Sequence, residues 1–285
     1  MAENGEMEPT ASSLPASSSP ASPLPGLTEL PAPQFVMVGE GVSLATYSWG
    51  DPDAPTVLCV HGFGSSTLDN WVNTGWVRDL LRAGMRVLAV DQRGHGASEK
   101  PHDARSYALS IFMDDLLTVL DTHLIDGVRY LGYSLGGRVG WDLAVAAPGL
   151  VARAVLGGIP DGRPLARLQV DQARAYVEDG IPVEDAVTQR YLSLAQRVRG
   201  NDLRALIAVA EGTGLAGGDP DPTSPPEQPV LLVTGGEDPI LEQSRRLASF
   251  APNGTFLELP GRTHVTAPGA RLFRAEGIPF LTART

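Results

Sequence analysis

The sequence predicts an α/β protein built on a mostly parallel, doubly wound sheet. Three observations carry that prediction. Strand-like and helix-like segments alternate along most of the 285 residues, the pattern of a parallel sheet with helices on both faces. Thr56–Val60 and Arg86–Val90 are almost continuously apolar, as strands buried on both sides require. Residues capable of chemistry fall just past strand ends, where open α/β sheets bind their ligands.

Residues 1–33 are dominated by Ser, Pro and Ala, which bury too little apolar surface to offset the entropy of ordering. They are expected to form a disordered tail, with the fold starting near Gln34. Residues 35–38 and 44–49 read as two strands joined through Gly39-Glu-Gly41, a hairpin. Asp51-Pro-Asp-Ala-Pro55 is a turn cluster. The strand Thr56–Val60 follows and ends in His61-Gly-Phe-Gly64. A helix is expected over 72–83, closed by Gly84. The strand Arg86–Val90 then runs into Asp91-Gln-Arg-Gly-His-Gly-Ala-Ser98.

Over 106–123 apolar residues recur at helical spacing, with Ser106 as the expected N-cap. Val128–Tyr133 is a strand, and the helix after it runs to Pro148. A strand is expected over 152–157. The alternation then stops, and 161–228 carries only helical patterns, at 166–178, 183–198 and 202–211, before a Gly/Pro/Asp-rich return. This segment reads as a small helical cap and return linker, inserted between core segments 34–160 and 229–285. A strand over 230–234, a helix over 241–250, a strand over 255–259 and a closing helix over 269–283 complete the chain.

Between the strand Val128–Tyr133 and the helix after it stands Gly132-Tyr-Ser-Leu-Gly136. A strand–turn–helix with this spacing projects a serine hydroxyl from the sheet edge, and it needs small residues two places before and after. Ser134 is therefore the candidate nucleophile. A serine hydroxyl needs a base, and the base needs an orienting carboxylate. Of the five histidines, His264 follows the last strand on a Gly-containing loop and reaches the same rim. His61 and His95 sit among glycines and read as holding loop shape. His102 and His123 read as a solvated loop residue and a helix end. Asp238, directly after a strand and before Pro239, is the first choice of acid. Asp161 is a competing choice, Glu237 a weaker one, and Asp91 reads as a loop-stabilising acid. Oxyanion donors are expected from the N–H of Leu135, at a helix start, and from Phe63 in the loop after Thr56–Val60.

Composition narrows the partners. A formal charge of −11 argues against a nucleic-acid surface. The single cysteine, Cys59, lies in an apolar strand and excludes a disulfide framework or a cysteine-rich metal site. No apolar run is long enough for a membrane span, and the acidic N-terminus lacks the apolar region of a secretory signal. The expectation is a cytoplasmic protein acting on a small-molecule substrate; the sequence does not set an oligomeric state.

From about residue 34 onward the chain resembles the α/β-hydrolase fold superfamily. The matching pieces are His61-Gly-Phe-Gly64, the Asp91–Ser98 motif, Gly132-Tyr-Ser-Leu-Gly136, Gly235-Gly-Glu-Asp238 and the late His264, in the family's order of Ser, Asp, His. The resemblance implies eight mostly parallel strands, a Ser134–His264–Asp238 triad, Phe63 and Leu135 as oxyanion donors, and no cofactor. Relatives with an aspartate nucleophile, the haloalkane dehalogenases and epoxide hydrolases, are disfavoured by the serine at 134. Cofactor-free haloperoxidases and perhydrolases commonly carry methionine after the serine, where this chain has Leu135. The implied activity is cleavage of a carboxylic ester through an acyl-enzyme. The alternatives are C–C bond or lactone hydrolysis with the same triad, and a non-catalytic ligand-binding or scaffold role on the same fold.

Overall fold

The structure, a computed structural model, describes residues 1, 30–215 and 218–283. Apart from Met1 and residues 30–33, the expected tail lies outside the described residues.

Eight strands form one sheet: β1 (Gln34–Met37), β2 (Ser43–Trp49), β3 (Thr56–Val60), β4 (Arg86–Val90), β5 (Val128–Tyr133), β6 (Val151–Gly157), β7 (Val230–Gly235) and β8 (Gly254–Leu259). Their order is β1-β2-β4-β3-β5-β6-β7-β8. β2 pairs antiparallel with β1 and with β4, and every other pairing is parallel. Because strand side chains alternate between faces, β3 feeds two separate cores. Leu58 and Val60 join one core with Leu88, Tyr130 and Val139; Val57 and Cys59 join the other with Trp76, Val87 and Phe273. A sheet covered on both faces results, which is why these strands read as unbroken apolar runs. Cys59 is fully buried, and burial pushes its thiol far above the ordinary range, so it is inert packing.

The helices are α1 (Trp76–Arg82), α2 (Leu109–Thr122), α3 (Leu135–Ala146), α4 (Val170–Asp179), α5 (Ala186–Ala195), α6 (Leu203–Leu215), α7 (Leu241–Ala248) and α8 (Arg271–Thr282). α5 is shorter than the expected 183–198 and α6 runs past 211 to Leu215; α1, α2 and α4 depart from the sequence expectation for a local reason each. The helix expected over 72–83 is split. A π-helical turn occupies Leu68–Val72, and α1 starts only after Gly75, whose φ of +85° breaks the run. Ser106 does not cap α2. A 3₁₀ turn spans Ala104–Tyr107, and its cap is Asp103, whose side chain accepts from Arg105 N at 2.9 Å. Finally, α4 begins at Val170, because Leu165 adopts a positive φ of 58° and closes a turn to Leu168 N.

Helices α4, α5 and α6 lie between β6 and β7 in the chain. Leu168, Ala173, Leu192, Ile207 and Ala210 give them a small core of their own. Helix α6 also presents Ala208 and Val209 to the main core, which ties the inserted segment to the sheet domain.

Candidate active site

The site is built where β5 turns into α3. Ser134 occupies the turn with φ 54° and ψ −116°, a region that costs a non-glycine residue on the order of 1–3 kcal/mol. Surrounding contacts hold it there. Ser134 N donates to Gly157 O at 2.7 Å, and Arg138 N donates to Ser134 O at 2.9 Å. The two flanking glycines are steric requirements. A Cβ on Gly132 would lie 2.5 Å from Gly136 O, and one on Gly136 would lie 2.5 Å from His61 O and press into Val60 O as well.

Two loops converge on Ser134. The loop after β8 turns at Gly261 (φ 64°) and carries His264, whose Nε2 lies 3.0 Å from Ser134 Oγ. The loop after β7 carries Asp238, whose Oδ2 lies 2.7 Å from His264 Nδ1. The other carboxylate oxygen of Asp238 accepts from Ile240 N at 3.2 Å. Asp238 is buried while His264 is about a quarter exposed, so the acid is shielded and the imidazole faces the cleft. This arrangement fixes a tautomer: Nδ1–H donates to the carboxylate, leaving Nε2 free to accept from the serine hydroxyl.

The competing acids are placed elsewhere. Asp161 pairs with Arg246 of α7, which takes it out of the contest that its position past β6 suggested. Glu237 is exposed at the cleft, and it is Asp238, not Glu237, that bonds His264. Asp91 accepts from Thr67 N at 2.8 Å, Ala97 N at 2.9 Å and Tyr47 OH at 3.2 Å, which ties three segments of backbone together. His61 and His95 are both fully buried. His61 Nδ1–H donates to Gly62 O at 2.8 Å, and its Nε2 accepts from Gln92 N at 3.1 Å. Burial lowers the pKa values of both imidazoles, that of His95 to about 3, so both are neutral loop braces. His102 pairs with Asp202 at 2.8 Å, and His123 Nε2 meets Thr46 Oγ1 at 3.1 Å; neither approaches Ser134.

Phe63 sits on the loop after β3. Asn70 fixes that loop by accepting from Gly62 N at 2.8 Å, and Asn201 of the inserted segment donates to Gly64 O at 2.8 Å. The Phe63 ring meets His95 and Tyr191 edge-on, both at 5.9 Å. Leu135 is the first residue of α3, so its N–H belongs to the donors a helix start leaves without an intrahelical acceptor. Ser134, Phe63, His264 and Asp238 all line a cavity of about 780 Å³, roofed by α5 and the segment before α4. Among the described residues no group of three or more His, Cys, Asp or Glu side chains is arranged to hold a metal ion, and no helix is long and apolar enough to cross a membrane.

Three contributors escaped the sequence reading. Tyr133, the last residue of β5, donates its hydroxyl to His264 O at 2.5 Å. Asn70 and Tyr191 complete the loop after β3 from two other elements. Only the apolar neighbours of Tyr133 signal its burial, and nothing local announces the other two.

Residues 55–190 match the family model described as alpha/beta hydrolase fold. Among curated relatives, an AB hydrolase superfamily protein of Bacillus subtilis is 32% identical over 127 residues, covering 45% of this chain and 43% of that protein. The chain therefore spans less than half of that relative. A putative 2-succinyl-6-hydroxy-2,4-cyclohexadiene-1-carboxylate synthase of the same organism is 27% identical over 275 residues, covering 87% of this chain and 98% of its own length. Among solved structures, the enol-lactonase from Burkholderia xenovorans superposes with a TM-score of 0.74 at 23% identity, covering 88% of this chain and 100% of that one. At that identity the likeness speaks to fold alone.

Proposed function

Since residues 55–190 match the alpha/beta hydrolase fold family, we propose that the chain is a serine hydrolase that cleaves a small-molecule carboxylic ester through an acyl-enzyme on Ser134. One observation carries the proposal: a serine hydroxyl lies 3.0 Å from an imidazole that is itself 2.7 Å from a buried carboxylate. That is the geometry of a nucleophile, a base and an orienter acting as one unit.

The steps follow from these positions. Ser134 Oγ attacks the ester carbonyl while its proton passes to His264 Nε2, and Asp238 stabilises the imidazolium through Nδ1–H. The N–H groups of Phe63 and Leu135 hold the oxyanion, the second assisted by the N-terminal dipole of α3. The tetrahedral intermediate collapses, the C–O bond breaks, and His264 protonates the departing alkoxide. Water then gives a proton to His264 and adds to the acyl carbon. Breakdown of the second tetrahedral intermediate frees the acid and restores Ser134. The cavity volume lies within the range of small-molecule sites.

Lactones are cyclic esters and would follow the same steps. The bifunctional epoxide hydrolases of pig and mouse, also similar to this chain, act on a different functional group, and the serine at 134 favours acyl transfer here. The test is release of p-nitrophenol from a chain-length series of p-nitrophenyl esters. Wild type should turn over at least part of the series, and Ser134→Ala should lose that turnover; equal activity of the two proteins would overturn the proposal.

A further inference from the structure

The inserted segment over 161–228 contains seven arginines and eleven aspartates or glutamates. Its acids outnumber its bases, yet among its described residues every charged one lining the cavity is an arginine: Arg163, Arg167, Arg190 and Arg197. All four are exposed, and among the described residues none forms an ion pair within 4.0 Å. Other arginines nearby are matched. Arg138, which also lines the cavity, is buried against Asp142 at 3.0 Å, and Arg174 reaches Glu211 at 2.6 Å. Asp185, just before α5, spends its carboxylate capping that helix through Thr188 N and Oγ1, both at 2.7 Å.

Three acids from outside the segment also line the cavity. Asp238 is bonded to His264, Asp69 accepts from Ser66 Oγ at 2.7 Å, and Glu237 is exposed. The cavity is also lined by apolar side chains, among them Phe63, Leu165, Leu194 and Pro268. Tyr191 lies in the same lining, against Phe63. Burial raises its phenol, the Asp238 charge adds to the rise, and the Arg167 and Arg190 charges oppose it.

On the ester-hydrolase reading above, we infer that the four arginines select an anionic substrate: an ester whose far end, across an apolar stem from the scissile bond, carries a carboxylate. Guanidinium groups bind carboxylates through paired, charge-assisted hydrogen bonds. A cleft of one sign with low-dielectric walls also raises the encounter rate of an opposite charge, even on a chain of net negative charge.

The test uses p-nitrophenyl hydrogen suberate and its methyl ester, which share a chain and differ in the terminal charge. At low ionic strength kcat/KM for the acid should exceed that for the methyl ester by about tenfold or more. The ratio should shrink at about 0.5 M salt, where the Debye length falls to a few ångströms. Arg167→Gln combined with Arg190→Gln should bring the ratio towards one. Arg199→Gln, an exposed arginine of the same segment outside the cavity lining, should keep it. A wild-type ratio at or below one, or a ratio untouched by the double substitution, would overturn the inference while leaving ester hydrolysis intact. Failure on both suberates with turnover of other p-nitrophenyl esters would likewise overturn the inference alone; failure on every ester of the series, or turnover that survives Ser134→Ala, would overturn the ester reading itself.

Discussion

The phenol of Tyr133 donates a 2.5 Å hydrogen bond to the backbone carbonyl of His264, so the residue before the candidate nucleophile also anchors the loop that carries the base. Burial, with the Asp238 charge behind it, pushes this phenol well above its ordinary pKa and keeps it a donor. Tyr133→Phe should lower kcat by about tenfold while KM changes little, because small misplacements of a base cost rate rather than binding. Steady-state kinetics beside a melting curve checks this; equal losses in kcat and stability with no preference for kcat would mark Tyr133 as packing alone.

Ser134→Ala and His264→Ala should each lower kcat by about 10³-fold or more, and the double substitution should cost little beyond either, since members of a coupled triad are not additive. Additive losses would separate the two residues into independent roles.

The turn around Ser134 depends on bare backbone. Gly136→Ala would drive a methyl group into His61 O and Val60 O and should destabilise by about 1–3 kcal/mol, the cost of overpacking. Gly127→Ala, where a Cβ meets nothing within 4 Å, should stay within about 0.5 kcal/mol of wild type. Urea unfolding of the two variants separates them; similar losses would contradict the close approach of α3 to the loop after β3.

On the loop after β4, Arg93 donates Nε to Asp115 Oδ2 and Nη2 to Oδ1 of that α2 residue, both at 2.6 Å, with both side chains buried. Burial raises the Asp115 carboxyl, and the Arg93 bonds oppose that rise. Without Asp115 the buried Arg93 keeps only Glu40 at 3.5 Å and Ser106 O at 2.8 Å, so Asp115→Ala should cost up to about 3–5 kcal/mol. A loss below about 1 kcal/mol, the worth of an exposed pair, would show that the pair is solvated.

Acid should weaken the fold through His95. Burial above all, with the neighbouring His61 imidazole next, lowers its pKa from 6.5 to about 3. Above pH 6.5 the folded and unfolded chains both hold it neutral, and its contribution is complete. As pH falls from there towards 3 the unfolded chain takes up a proton that the fold refuses. Stability then drops by about 1.4 kcal/mol per pH unit for one such proton. His61 shifts in the same direction. Between pH 7 and 4.5, unfolding free energies should slope less steeply for His95→Gln than for wild type; parallel slopes would contradict the assignment.

Much of the fold could be read from the sequence because the sheet is covered on both faces. Runs such as Thr56–Val60 then have no polar face to confuse them with helix or loop. The positions of Ser134, Asp238 and His264 were legible for a related reason: each directly follows a strand or its turn, and a parallel sheet gathers such residues on one rim. What escaped was decided by tertiary contact. The 3₁₀ turn at Ala104–Tyr107 exists because Tyr107 is buried and donates to Pro101 O at 2.5 Å, a preference that no capping rule contains. Asp161 looked as well placed as Asp238 until α7 brought Arg246 against it. The arginines of 161–228 resemble any solvated helix surface, and only the folding of that segment over the cleft sorts them from its acids.

The most direct test of the central claim is mass spectrometry of the protein quenched during turnover of a p-nitrophenyl ester. The account predicts an acyl adduct confined to the peptide that contains Ser134, and none on the Ser134→Ala protein. Ester turnover with no adduct at Ser134, or with an adduct elsewhere that persists in Ser134→Ala, would contradict it.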